Sequence, residues 1–478
     1  MSIAIPCANR VSRVLVSSAL TVGFLSLNAQ ALDLDWQGGF RAETNTIFGY
    51  SNADASATGG YSIPLKADTP ANFQNLFLNL KPRVLVNDNV SIQSELWFNA
   101  PDTGLFGSNV PSNATYHSTN TGNALLSART FFSEIATDFG TFRVGRIPLQ
   151  YGLGLVWNSD SGRRTRLPSN GDAMTLTTKL GAFKFSPFFV KYQQQISGGA
   201  NPALNSGLTD YALMLTYANE DEQLDVGLLF LRRLAGQNAG VVDPFAVGAP
   251  TSTAGFAYNL WDFYAKKKSG IFTFAAEVPI ANGLVASQTY STVAGAVKAG
   301  ADLGSGWNLK LNAGSANGQV NSNGPTKFSA FYFHPDYRPG LLMFNYNYLN
   351  IANGGGSFFN NPITNARFFS LAGEYATGKF SHELLGLFAI ADQSADGVNN
   401  YFNSWTGQYE TAIAGKTQEK ALGFEIDYSL GYDWDEYTRF GIDTGLYFPG
   451  AFYQLSNSAT ANTTRAVFGT QFSMIVKF

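Results

Sequence analysis

Five arginines fall between positions 143 and 166: Arg143, Arg146, Arg163, Arg164 and Arg166, the last three in the run GRRTR. A guanidinium is a permanent cation with donors in a fixed fork, so a group of them holds or steers anions. Folded into a narrow passage they would form a cationic constriction. On an outer loop they would form a solvated patch. Other reactive groups are sparse. His117, His334 and His382 are far apart in sequence and no Ser/His/acid grouping accompanies them. Zinc would want clustered Cys, His or carboxylates. Catalysis, a metal site and a cofactor are therefore not expected.

The elements that would position the arginines are strands. The first 31 residues carry Arg10 and Arg13, an apolar run from Val14 to Leu27, and Ala29-Gln30-Ala31. This is the pattern of a cleaved secretory signal, so domain 1–31 is expected to be a signal peptide and 32–478 a single folded unit. Cys7 lies in the signal, which leaves a chain without disulfides. Removing the two signal arginines leaves 29 basic residues against 34 acidic, a net −5. That is too mild to suggest nucleic acid. Charged residues are only 14% of the chain, where soluble domains have about 25%. No later stretch is long and apolar enough for a spanning helix. Export, low charge and high aromatic content together suit a closed antiparallel transmembrane β-barrel, an all-β fold that carries its apolar residues at every second position.

Period-2 alternation runs nearly end to end. Trp36, Phe40 and Phe48 oppose Arg41 and Glu43; Ile92 and Leu96 oppose Gln93 and Glu95; Phe424, Ile426 and Tyr428 oppose Glu425 and Asp427. A Lys or Arg on the lipid side costs about 2–4 kcal/mol at mid-membrane, so the charged parity faces the lumen. Arg41 and Glu95 thereby join the arginine cluster as candidate pore-lining residues. Two places break the pattern. Arg129 and Glu134 have opposite parity in one strand, which calls for a bulge or a short strand, and Arg367 shares parity with Phe369, as at a rim.

Short turn-like links such as NDN at 87 and DFG at 138 alternate with long Gly/Asn/Ser/Thr stretches. The short links are expected at the periplasmic end and the long loops outside. Counting gives about 20 strands, two of them near residues 331 and 345; merging a weak pair near 131 and 143 would leave 18. The chain finishes on VFGTQFSMIVKF, with Phe472 and Phe478 on the apolar parity. This resembles the closing strand of Gram-negative outer-membrane proteins, and the resemblance implies that the terminal aromatic is an assembly signal read by the barrel-assembly machinery. The stretch FRVGRIPLQYGLGLVWNSDSG (142–162) resembles segments of porin-type and alginate-export-type channels, in which a loop after GR and spaced glycines can fold into the pore.

The resemblance implies an outer-membrane porin-like channel for passive diffusion of small polar solutes or ions. Alternatives are a substrate-specific uptake or export channel and a structural or adhesive barrel. The expected partners are outer-membrane lipid, lipopolysaccharide (which an outward-lying arginine cluster would face), and the assembly machinery. A homotrimer follows by analogy.

Overall fold

A computed structural model describes residues 33–49, 71–98, 126–159, 162, 164–193, 196–197, 201–202, 207–237, 245, 254–286, 288–346, 360–404, 407–455, 461 and 464–478. The expected signal peptide and His117 lie outside them. Alternating polar and apolar residues cannot serve a helix, and they form strands almost throughout. In chain order these are β1 (Asp33–Phe48), β2 (Ala71–Asn87), β3 (Val90–Phe98), β4 (Leu126–Thr137), β5 (Gly140–Pro148), β6 (Asn170–Leu180), β7 (Phe183–Gln193), β8 (Leu208–Asn219) and β9 (Leu224–Ala235). They continue as β10 (Phe256–Ser269), β11 (Phe272–Val285), β12 (Gln288–Gly304), β13 (Trp307–Ala316), β14 (Ala366–Thr377), β15 (Phe380–Ala391), β16 (Ala421–Asp433), β17 (Thr438–Pro449) and β18 (Val467–Lys477).

Each of these 18 strands pairs antiparallel with the next, and β18 pairs with β1, so the sheet closes on itself. At the seam Gly38 N–H donates to the Phe478 carbonyl (2.7 Å) and Phe478 N–H donates to the Gly38 carbonyl (3.1 Å). The Phe478 ring covers Gly38 so closely that a Cβ there would strike it. Closure leaves no edge with unpaired amides, which lipid would not tolerate.

The count is 18, not 20. The strands expected near 331 and 345 are not in the wall. That segment lies between β13 and β14, and among its described residues the one strand is the two-residue Lys327–Phe328, parallel to β12. Its apolar residues are buried inside the barrel, which is why its composition read as strand. The weak pair near 131 and 143 is β4 and β5, both real. The awkward parity of Arg129 comes from a bulge: Glu95 pairs with Thr130 and Leu96 with Ala128, so Arg129 is the extra residue. Arg367 stands at the rim and ion-pairs with Asp392.

Links of two residues (88–89, 138–139, 181–182, 270–271, 305–306, 378–379) mark one end of the barrel, and the other end carries the long connections together with one short link at 286–287. Phe131, Trp261, Phe274, Ile426 and Phe472 are exposed on the outer face. The protein's core is on the other side of the wall. Leu155, Leu229 and Ile363 are fully buried within the barrel, against segments that fold inward.

Candidate functional site

A barrel of this size leaves an aqueous bore unless something enters it. Among the described residues, inner loop A (149–169, between β5 and β6) and the described part of inner loop B (317–365, between β13 and β14) do, with Tyr401, Phe402 and Tyr409 of the connection between β15 and β16 packed into the same buried cluster. Loop A puts Leu149, Tyr151, Leu155 and Trp157 against an inner wall that is apolar at this position, formed by Ala173, Val190, Leu229 and Leu260. Loop B puts Phe333, Tyr337, Leu341, Leu342 and Met343 into the same cluster.

Burial alone would leave the backbone amides of these turns without partners, at about 1–3 kcal/mol each. Wall carboxylates supply the acceptors. Glu277 on β11 accepts from Leu153 N–H and from Leu155 N–H, the latter at 3.0 Å. This is the GLG turn: Gly152 and Gly154 have φ +52° and +86°. A Cβ on Gly152 would collide with the Glu277 carboxylate, so glycine is required. Glu425 on β16 does the same for loop B, accepting from Leu341, Leu342 and Met343 N–H at 2.8, 2.7 and 2.6 Å; Asp427 takes a second bond from Leu341 at 2.8 Å. Further along loop A, Trp157 Nε1 donates to Tyr192 Oη (2.9 Å), which donates to Asp210 (2.8 Å), itself held by both arms of Arg233.

The two loops meet across the lumen. Asp336 of loop B accepts from the N–H groups of Arg166 (3.0 Å) and Leu167 (2.7 Å) and pairs with Arg338 at 2.9 Å. Arg338 also donates to the Arg164 carbonyl at 3.3 Å, and His334 N–H to the Leu155 carbonyl at 2.7 Å. The tip of loop A then reaches the far wall. Arg166 pairs with Glu43, Arg164 with Asp443 (3.3 Å), and Arg41 donates to the Thr165 carbonyl (3.2 Å). Arg129 ties in from β4, bonding Glu95 (2.8 Å) and the Ser159 carbonyl (3.1 Å). Burial outweighs the nearby Asp336 and lowers the Arg338 guanidinium to about 10, still charged at neutral pH. It also lowers His334 to about 4, leaving a neutral ring whose Nδ1 accepts from Asp336 N–H.

Two cavities flank this contact and share no lining residue. The larger, about 1100 Å³, opens toward the short-turn end and is lined by Arg41, Phe77, Lys81, Glu95, Trp97 and Arg129 among others. The smaller, about 590 Å³, is bounded by Gln150, Lys298, Asn312, Asp336 and Arg338.

The sequence-predicted residues divide accordingly. Arg41, Arg164 and Arg166 come together where the tip of loop A meets the far wall, and Glu95 ties in through Arg129; Arg41, Glu95 and Arg166 are all buried and ion-paired. Arg143 faces the lumen near the short-turn end, where it pairs with Glu134. Arg146 does not face the lumen. Arg143 and Arg146 are an odd number of residues apart, so one strand cannot point both inward. Arg146 shares the outer face with Val144 and pairs with Asp172. Arg163 lies outside the described residues. The lumen-side acids Glu277, Glu425, Asp427 and Asp443 are bound to the loops. His382 is on the outer face, beside Tyr428. Asp336, Arg338 and Arg129 escaped sequence reasoning; the off-parity position of Arg129 was the one visible signal.

No protein-family profile matches the chain, and no curated protein sequence does. Solved structures do match its shape. Pseudomonas aeruginosa OccK9 (OpdG) is similar at a TM-score of 0.50 and 11% identity, over 93% of this chain and 99% of that one. OccK1 (OpdK) from the same organism is similar at 0.50 and 10%, over 93% and 98%. OmpT, an outer-membrane protein of Vibrio cholerae, matches more loosely at 0.41 and 11%, over 95% and 99%. The fold is that of Gram-negative outer-membrane porin-type β-barrels.

Proposed function

We propose that this chain is an outer-membrane channel that admits small polar solutes by diffusion past the contact between its two inner loops. The observation that carries the reading is the charge-balanced lattice at that contact, which fixes the loops inside the lumen beside two cavities that share no lining residue. A barrel whose work was done by outer loops alone would have no need of buried arginines in its bore. Burying such pairs is costly unless every partner is satisfied. Export through a cleaved signal, insertion by the assembly machinery and a trimeric state complete the proposal.

The larger cavity is lined by charges of both signs, Arg41, Lys81, Arg129, Arg439 and Lys477 against Glu95, Glu374, Glu383, Asp433, Asp435 and Glu436. Phe77 and Trp97 stand beside them, Arg41 lying 5.3 Å from the Phe77 ring and Arg129 5.2 Å from Trp97. Aromatic faces mixed with both charges favour selection among solutes over simple sieving. The test is single-channel recording in planar bilayers under a salt gradient. Replacing Arg164 and Arg166 with Ser should raise conductance and shift the reversal potential toward cations, because Glu43 and Asp443 lose their partners. The shift should shrink at high salt. No conductance from the folded protein would remove the channel reading.

A further inference from the structure

Arg146 is one member of a row on the outer wall. Following the strand register from β5 to β12, each strand carries an outward polar residue: Arg146, Asp172, Lys191 and Thr209 in one register row, and Arg232, Asn259, Asn282 and Ser291 in the next. Arg146 is opposite Asp172, Asp172 opposite Lys191, and Lys191 opposite Thr209; Arg232, opposite Tyr211, stands one outward position lower. One outward step toward mid-membrane, about 7 Å along each strand, every one of these residues gives way to an apolar or aromatic one. The lower ring is Val144, Met174, Phe189, Tyr211, Phe230, Trp261, Ile280 and Val293. On each of these eight consecutive strands, therefore, the outward side turns from apolar to polar toward the end that carries the long loops, and Lys191 and Arg232 each stand eight residues beyond the strand residue at the short-turn end, Phe183 and Leu224.

Such a change from apolar to polar is expected where hydrocarbon gives way to headgroups. A charge there costs about 0–1 kcal/mol, against about 2–4 at the midplane. Three cations and one acid leave the row at +2. Arg146 and Asp172 satisfy each other through two bonds, at 2.7 and 3.2 Å. Among the described residues Lys191 and Arg232 have no carboxylate partner, and Arg232 donates only to Asn259 Oδ1 at 3.3 Å. Strand spacing puts Lys191 and Arg232 about 10–12 Å apart across two strand intervals. Thr209, Asn259 and Asn282 add hydroxyl and amide donors suited to sugar oxygens. Two free cations beside neutral donors, over an apolar shelf, complement an anionic sugar headgroup attached to acyl chains.

We propose that Lys191 and Arg232, with Arg146 and the flanking Asn259, form an outer-face site for the phosphorylated sugar headgroup of lipopolysaccharide. The proposal rests on the outer-membrane reading above but needs no conduction. It concerns a surface that no transported solute touches.

The test uses the full-length folded protein in detergent, titrated with lipopolysaccharide, with the same glycolipid after enzymatic removal of its phosphates, and with phosphatidylglycerol. Wild type should prefer the intact glycolipid to both others. Each cation near an anionic surface contributes about 1 kcal/mol, so losing both should weaken binding by about thirtyfold. K191E/R232E should therefore lose the preference, whereas K191R/R232K should keep it and K267E, outward at the opposite end, should leave it unchanged. Each variant is first shown to be folded by its heat-modifiable mobility, and its single-channel conductance should equal that of wild type. Failure to conduct in every variant would strike the channel reading and leave this one standing. Equal binding of intact and dephosphorylated glycolipid, equal binding of phosphatidylglycerol, or a K191E/R232E protein that binds as wild type would each overturn it. So would a change in oligomeric state without a change in lipid affinity, which would make the row a contact between copies.

Discussion

Single side chains decide where each inner loop sits. Glu277 is fully buried under the turn at Gly152, with no room for another methyl. Gly152→Ala should therefore push loop A off its acceptor, at about 1–3 kcal/mol for each amide left unbonded. The expected result is a lower urea midpoint and noisier, larger single-channel currents; unchanged values would show that the turn adapts. His334 gives a pH dependence whose sign is fixed. Its ring is held at about 4 where an ordinary histidine is at 6.5, because burial disfavours the charged form. Between those values the unfolded chain binds more protons than the folded one, so stability falls as pH drops from 6.5 to about 4. The loss is about 3 kcal/mol in total. His334→Gln should flatten that slope in urea titrations across the window, and an equal slope in the variant would place the titration elsewhere.

Strands were the legible elements. The parity of β1, β3, β16 and β18 follows from residues such as Phe424, Ile426 and Tyr428 opposite Glu425 and Asp427, since the cost of a charge in lipid leaves one choice. Ile426→Arg should cost about 2–4 kcal/mol of barrel stability. Asn308→Arg, whose position lines the larger cavity, should be near neutral. The folded fractions of the two variants in urea test the assignment of faces, and the reverse order would invert it. Inner loop B was not legible. Its buried Phe331, Phe333 and Tyr337 have the composition of a strand, and the partner that identifies it as a loop, Glu425, lies beyond two further strands in sequence. The same limit hid the constriction: Arg166 meets Glu43 and Asp336 only because two loops fold toward each other. Arg146 was misjudged for a local reason, since an odd spacing from Arg143 already placed it on the opposite face.

At the scale of the whole molecule, closure depends on one seam. Phe478 shares two backbone bonds with Gly38 and lays its ring over it. Phe478→Ala should leave synthesis and export intact but reduce the compact, heat-modifiable species in the outer-membrane fraction; normal amounts would show that the seam tolerates the loss. The inner loops have a mechanical consequence as well. Loop A springs from β5 and β6 yet is fixed to β11 through Glu277, to β1 through Glu43 and to β17 through Asp443, while loop B joins β13 and β14 to β16. These are cross-braces spanning the ring, and a braced ring resists being squeezed into an oval. The bore should hold its cross-section under lateral tension, so that stretching or thickening the surrounding bilayer leaves the current through it unchanged.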